Sequence, residues 1–174
     1  MEFAVEPLIR WLHILAGITW IGLLYYFNAV QVPAQAEATA DKDGPGPAAI
    51  GKYVAPRALF WFRWAALVTW LTGAAYLAHQ SNFLAAFALG LTEAGGAYHT
   101  YIGIGAWLGT IMLLNVWGII WPNQKKVLGM KPASDEEKAV AKRRAFLASR
   151  TNTLLSIPMI LFMLAPTHGL PLMF

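Results

Sequence analysis

The chain has 174 residues, of which 57% are hydrophobic and 13% charged, with a formal net charge of +4 and no cysteine. A soluble domain carries about 25% charged residues, so the composition argues against an ordinary water-soluble fold and for a bilayer. The missing thiols exclude disulfides, thiolate metal centres and covalently attached haem c.

The charges cluster and leave four apolar stretches, at about residues 7–31, 58–79, 96–121 and 151–167. Each reaches or approaches the ~20 residues that cross a ~30 Å hydrocarbon core. Backbone groups in lipid must bond within their own segment, so the stretches predict helices. The expected fold is an all-α integral membrane protein. It is a single domain over 1–174, an up-down bundle of four transmembrane helices with loops at 32–57 and 122–150. Ahead of the first stretch, Glu2 and Glu6 stand where a signal peptide has a basic run. The apolar segment is also longer than such a peptide needs, so Ala34-Gln35-Ala36 is not read as a cleavage site.

Lysine and arginine set the orientation. Arg10 stands alone at the first span. Lys42, Lys52, Arg57 and Arg63 flank or occupy the first loop, and Lys125, Lys126, Lys131, Lys138, Lys142, Arg143, Arg144 and Arg150 fill the third. Twelve of the 13 basic residues thus fall on one side. That side is the cytoplasm of a bacterial inner (plasma) membrane, and both termini are periplasmic. The isoelectric point near 9.5 is then an orientation signal and not a nucleic-acid footprint.

Between the spans, Asp41-Lys42-Asp43-Gly44-Pro45-Gly46-Pro47 is a turn-rich connector. The apolar segment 81–91 is too short to cross and reads as an interfacial half-helix, either a lid or a packing element. Ser134 followed three residues later by Glu137 is a capping box. It predicts a helix running through Arg144 toward the fourth span. Pro158 is expected to kink that span. Asn28, Asn115 and Asn152 are expected to hold helices together.

The chemistry lies in a repeated motif. The first span reads His13-Ile14-Leu15-Ala16-Gly17-Ile18-Thr19-Trp20-Ile21-Gly22. The third reads His99-Thr100-Tyr101-Ile102-Gly103-Ile104-Gly105-Ala106-Trp107-Leu108-Gly109. Each histidine has a glycine one turn on, on the same face, which leaves room for a flat macrocycle. Both spans start outside, so His13 and His99 are expected at one depth on diagonal helices. There they would ligate the iron of one b-type haem. A histidine facing headgroups and a glycine easing helix contact are the structural alternatives. His79 and His168 end the second and fourth spans and are weaker ligand candidates. Arg63 either snorkels or binds an acidic group or a haem propionate, which would need a site near the inner side.

Trp11-Leu12-His13-Ile14-Leu15-Ala16-Gly17-Ile18-Thr19-Trp20-Ile21-Gly22-Leu23-Leu24-Tyr25-Tyr26-Phe27-Asn28 resembles the opening helix of the membrane domain of bacterial membrane-bound urate oxidase. Ala58-Leu59-Phe60-Trp61-Phe62-Arg63-Trp64 is similar to a later segment of that family. So are Asn115-Val116-Trp117-Gly118-Ile119-Ile120-Trp121-Pro122-Asn123-Gln124-Lys125-Lys126 and Ser149-Arg150-Thr151-Asn152-Thr153. The resemblance implies urate oxidation at a membrane, with electrons passed to a cytochrome c. Full-length family members end in a cytochrome c domain, whereas this chain has no Cys-x-x-Cys-His and is expected to use an external cytochrome c. A looser resemblance links the early histidine to a four-helix membrane protoporphyrinogen oxidase. Two readings stay open: a redox enzyme, and a non-catalytic haem-binding or accessory subunit of a larger membrane complex. Membrane lipid and a homo-oligomer or larger complex are the other expected partners. Reporter fusions after Leu91 and after Lys131 are expected to report opposite sides, the former outside; the same side for both would show the spans misassigned.

Overall fold

The computed structural model describes residues 5–93 and 95–168, and all the regular structure there is helical. α1 (Val5–Tyr25) passes through a π-helical segment (Tyr26–Gln31) into α2 (Val32–Ala40). A second π segment (Ile50–Val54) leads into α3 (Ala55–His79), followed by the short α4 (Phe83–Phe87). α5 (Ala97–Asn115) passes through a third π segment (Val116–Ile120) into α6 (Trp121–Val127), and α7 spans Asp135–His168.

Each π segment stands immediately before a proline. Pro33, Pro56 and Pro122 occupy the second position of α2, α3 and α6. Proline has no N–H, and its ring clashes with the carbonyl four residues back. The widened turn relieves that clash: Val32, Ala55 and Trp121 donate their N–H to the carbonyls of Phe27, Ile50 and Val116, five residues back. The helices therefore pass their prolines without breaking, and α1 continues as helix to Ala40.

Among the described residues, three helical runs are long and apolar enough to cross a membrane: Val5–Ala40, Ala97–Val127 and Asp135–Thr167. The 25-residue α3 has the length for a crossing, at ~1.5 Å of rise per residue, but a lower hydropathy. Trp61, Arg63, Trp64, Trp70, Tyr76 and His79 dilute its aliphatic content. α7 joins the capped basic helix and the fourth apolar stretch in one 34-residue element. Its start is the expected capping box: Glu137 N–H donates to Ser134 Oγ at 3.2 Å, and Ser134 N–H donates to Glu137 Oε2 at 2.9 Å. Pro158 lies inside this helix.

α1 packs along α3 and α5 along α7, with smaller contacts between α1 and α7 and between α3 and α5. The core lies where the four long helices meet. It is formed by Trp20, Leu24, Phe27, Leu59, Phe62, Met112, Val116 and Met159, with small alanines on α3 and α7. Apolar packing alone drives helices together weakly in lipid, so interhelical hydrogen bonds gain importance. Asn152, fully buried, donates to the Met112 carbonyl at 2.9 Å and accepts from Asn115 Nδ2 at 2.9 Å. One turn earlier on the same face, Ser149 Oγ accepts from Asn28 Nδ2 at 2.8 Å. One turn later, Ser156 Oγ meets the Tyr25 hydroxyl at 3.1 Å. Trp70 Nε1 donates to Thr110 Oγ1 at 2.9 Å and ties α3 to α5.

Asn152→Leu keeps the branched shape but removes two interhelical hydrogen bonds. It is expected to lower stability in detergent by about 1–2 kcal/mol, with a smaller loss for Ser149→Ala, as read from denaturant titration of helicity.

Candidate functional site

The His13 ring is half-buried and seated on α3. Its Nδ1 lies 2.8 Å from the Thr69 carbonyl oxygen. A carbonyl can only accept, so Nδ1 carries the proton and donates, and Nε2 keeps the lone pair. Thr72 Oγ1 lies 3.4 Å from the same nitrogen. The ring rests against Gly73, where an added Cβ would stand 2.9 Å from His13 Cε1. Thr69, Thr72 and Gly73 thus form the seat, and Thr69 is itself buried with its hydroxyl bonded to the Ala65 carbonyl at 2.7 Å. A histidine whose Nδ1–H is fixed by a backbone carbonyl is oriented to ligate through Nε2, because the outer bond sets both tautomer and ring direction.

His99 is held differently. Its Nε2 lies 3.1 Å from Asn82 Oδ1 and donates to it. Its Nδ1 is buried and has no hydrogen-bond partner among the described residues. The Tyr98 ring packs edge-on against the imidazole at 5.4 Å. Among the described residues, no hydrogen bond or ring contact joins His13 to His99.

The two motif glycines also differ. Beside Gly17, an added Cβ would meet only Thr69 Cγ2 at 3.8 Å, an ordinary contact. At Gly103 it would fall 2.0 Å from the Ala86 carbonyl oxygen, so the missing side chain admits α4 against α5. α4 is the half-helix expected from the apolar segment 81–91. It is held to α5 by Trp107 Nε1 donating to the Phe87 carbonyl at 3.0 Å and by Thr100 Oγ1 donating to the Leu89 carbonyl at 2.9 Å. Ser81, Leu89 and Gly90 bracket it in left-handed turns, with φ of 57°, 56° and 75°.

For haem, these residues fit at His13, where the available nitrogen and fixed tautomer meet the need of an axial ligand. At His99, the room beside Gly103 is filled by α4, so a macrocycle there requires α4 to withdraw. His79, at the end of α3, is exposed. His168 ends α7, and its side chain lies outside the described residues, as does the 170–174 tail. Among the described residues, no group of three or more His, Cys, Asp or Glu side chains is arranged to hold a metal ion. Sequence reading did not find Thr69, Thr72 and Gly73. Their signal is Thr-x-x-Thr-Gly on α3, which gains meaning only once α3 is known to face His13.

These features define a helical protein with membrane-crossing segments and a histidine seated between two of its helices. A family model described as urate oxidase N-terminal matches residues 2–92 and 78–173, and the chain belongs to that family. No curated protein and no solved structure matches the chain.

Gly73→Val should push the His13 ring off its seat. Nitrogen-15 NMR should then lose the hydrogen-bonded Nδ1–H signal of His13, with a stability loss of about 1 kcal/mol; an unchanged signal would show that the seat does not hold the ring.

Proposed function

We propose that this chain is a membrane redox protein of the urate oxidase type, passing electrons from a small organic substrate, urate, to an external cytochrome c. The observation that carries this reading is the family match along nearly the whole chain. In this reading the four long helices form an up-down four-helix bundle in the bacterial inner membrane, with both termini outside. The one-sided distribution of lysine and arginine supports that orientation.

The proposed cofactor is a b-type haem, whose iron His13 and His99 would hold. When bound, haem supplies one-electron transfer. His13 contributes Nε2, and the Thr69 carbonyl keeps its Nδ1 protonated and the ring in place. Gly73 leaves the ring its position against α3. Ligation by His99 over Gly103 asks α4 to move off α5, which makes α4 a lid in this reading. The same outer segment exposes Leu84 (77%) and Leu91 (87%), a surface for a homo-oligomer or a larger complex.

Membranes carrying the haem-loaded protein are expected to consume urate when a cytochrome c is supplied. His13→Ala and His99→Ala should each remove six-coordinate haem absorbance, and His79→Ala should change it much less. Full haem loading without urate consumption would favour the accessory-subunit reading. Unaltered six-coordinate spectra in both variants would overturn the ligand pair.

A further inference from the structure

Arg63 stands two turns into α3, half-buried, and the redox reading gives it no task. Its guanidinium carbon lies 3.9 Å from the centroid of the Trp121 ring and 5.1 Å from that of Phe60. Its one hydrogen bond among the described residues is long, 3.4 Å from Nη1 to the Leu59 carbonyl. Lys125 Nζ lies 5.8 Å from the same Trp121 centroid. Neither cation has an ion-pair partner: the pairs among the described residues are Arg10–Glu6, Lys126–Glu137 and Lys138–Asp135. Two positive charges therefore share one indole with no carboxylate to neutralise them.

An arginine within a membrane helix is costly and calls for a partner. Its planar fork matches a phosphate in bidentate fashion, and an ammonium adds a point charge to the same anion. The wall beside it is aromatic and faces outward. Phe60 is 46% exposed, Trp61 63% and Trp64 42%. A free phosphate has no use for that wall, whereas acyl chains do.

We propose that Arg63, Trp121 and Lys125 form a headgroup site for an anionic phospholipid, its phosphate on the two cations and its chains along Phe60 and Trp64. The site needs only that these helices lie in a bilayer. It does not depend on haem, on urate or on His13. Arg150 serves as an internal control. It is exposed, lies over Phe146 at 5.3 Å, and among the described residues has no ring contact with an indole.

The test is native mass spectrometry of the full chain in neutral detergent, titrated with phosphatidylglycerol, with phosphatidylcholine and with inorganic phosphate. Phosphatidylglycerol is expected to bind most tightly. Arg63→Gln and Lys125→Gln should each weaken it about fivefold, and Arg150→Gln should leave it unchanged. Arg63→Lys, which keeps the charge and loses the fork, should weaken it less than Arg63→Gln and serves if the glutamine variant does not fold. Wild-type affinity in Arg63→Gln, or in Arg63→Lys together with Trp121→Leu, overturns the site. Equal binding of phosphatidylcholine overturns the preference for an anionic lipid. Displacement of the lipid by millimolar inorganic phosphate assigns the site to free phosphate instead.

Discussion

One polar seam on α7 holds the helices in register. Ser149, Asn152 and Ser156 follow one another along a single face of α7, and each receives a partner from another helix. Asn28 and Tyr25 reach it from the first helical run, and Asn115 and the Met112 carbonyl from α5. Apolar side chains slide past one another at little cost, but an amide buried at 0% exposure must keep its partners. The seam therefore fixes the height of α1 and α5 relative to α7. The His13 seat on α3 and the Trp121 ring near Arg63 both depend on those heights.

The two halves of the chain repeat one plan. Trp20, Gly22 and Asn28 in the first half answer to Trp107, Gly109 and Asn115 in the second, and a π segment and a proline follow in each, the proline two residues later in the second half. The family match likewise falls in two stretches, 2–92 and 78–173. The plan departs from symmetry at the histidines. His13 meets Gly73 on the next long helix, while His99 meets Asn82 and has α4 over its glycine. Equivalent positions in sequence thus end in unequal surroundings, because α4 follows the first hairpin and docks on the second.

Much of this was legible from local pattern. The apolar runs, the Ser134–Glu137 cap and the short helix after Ser81 each depend on residues adjacent in sequence. The asparagines were legible as glue because a buried amide has few other uses, though their partners were not. The π segments were missed, since hydropathy does not report hydrogen-bond register; Pro33, Pro56 and Pro122 were the available sign. The continuity of α7 was only partly visible, because the charges of its first half look like a separate solvated helix. Gly17 and Gly103 were chosen for being one turn from a histidine. Which glycine a ring rests on is decided by the facing helix, and for His13 that glycine is Gly73. The tautomer of His13 was likewise invisible until the Thr69 carbonyl was placed beside Nδ1.

The π segments have a consequence for how sequence maps onto the surface. A widened turn takes up an extra residue with little added length, so side chains beyond it are rotated about the axis relative to those before it. Each proline therefore acts as a phase shifter. A heptad or helical wheel drawn straight through 26–31 or 116–120 assigns the wrong faces to α2 and α6. The shift allows α6 to present Trp121 toward Arg63 while the stretch before it keeps Met112 and Val116 in the core. One continuous helical run thus serves two neighbours, without the break that a proline usually imposes.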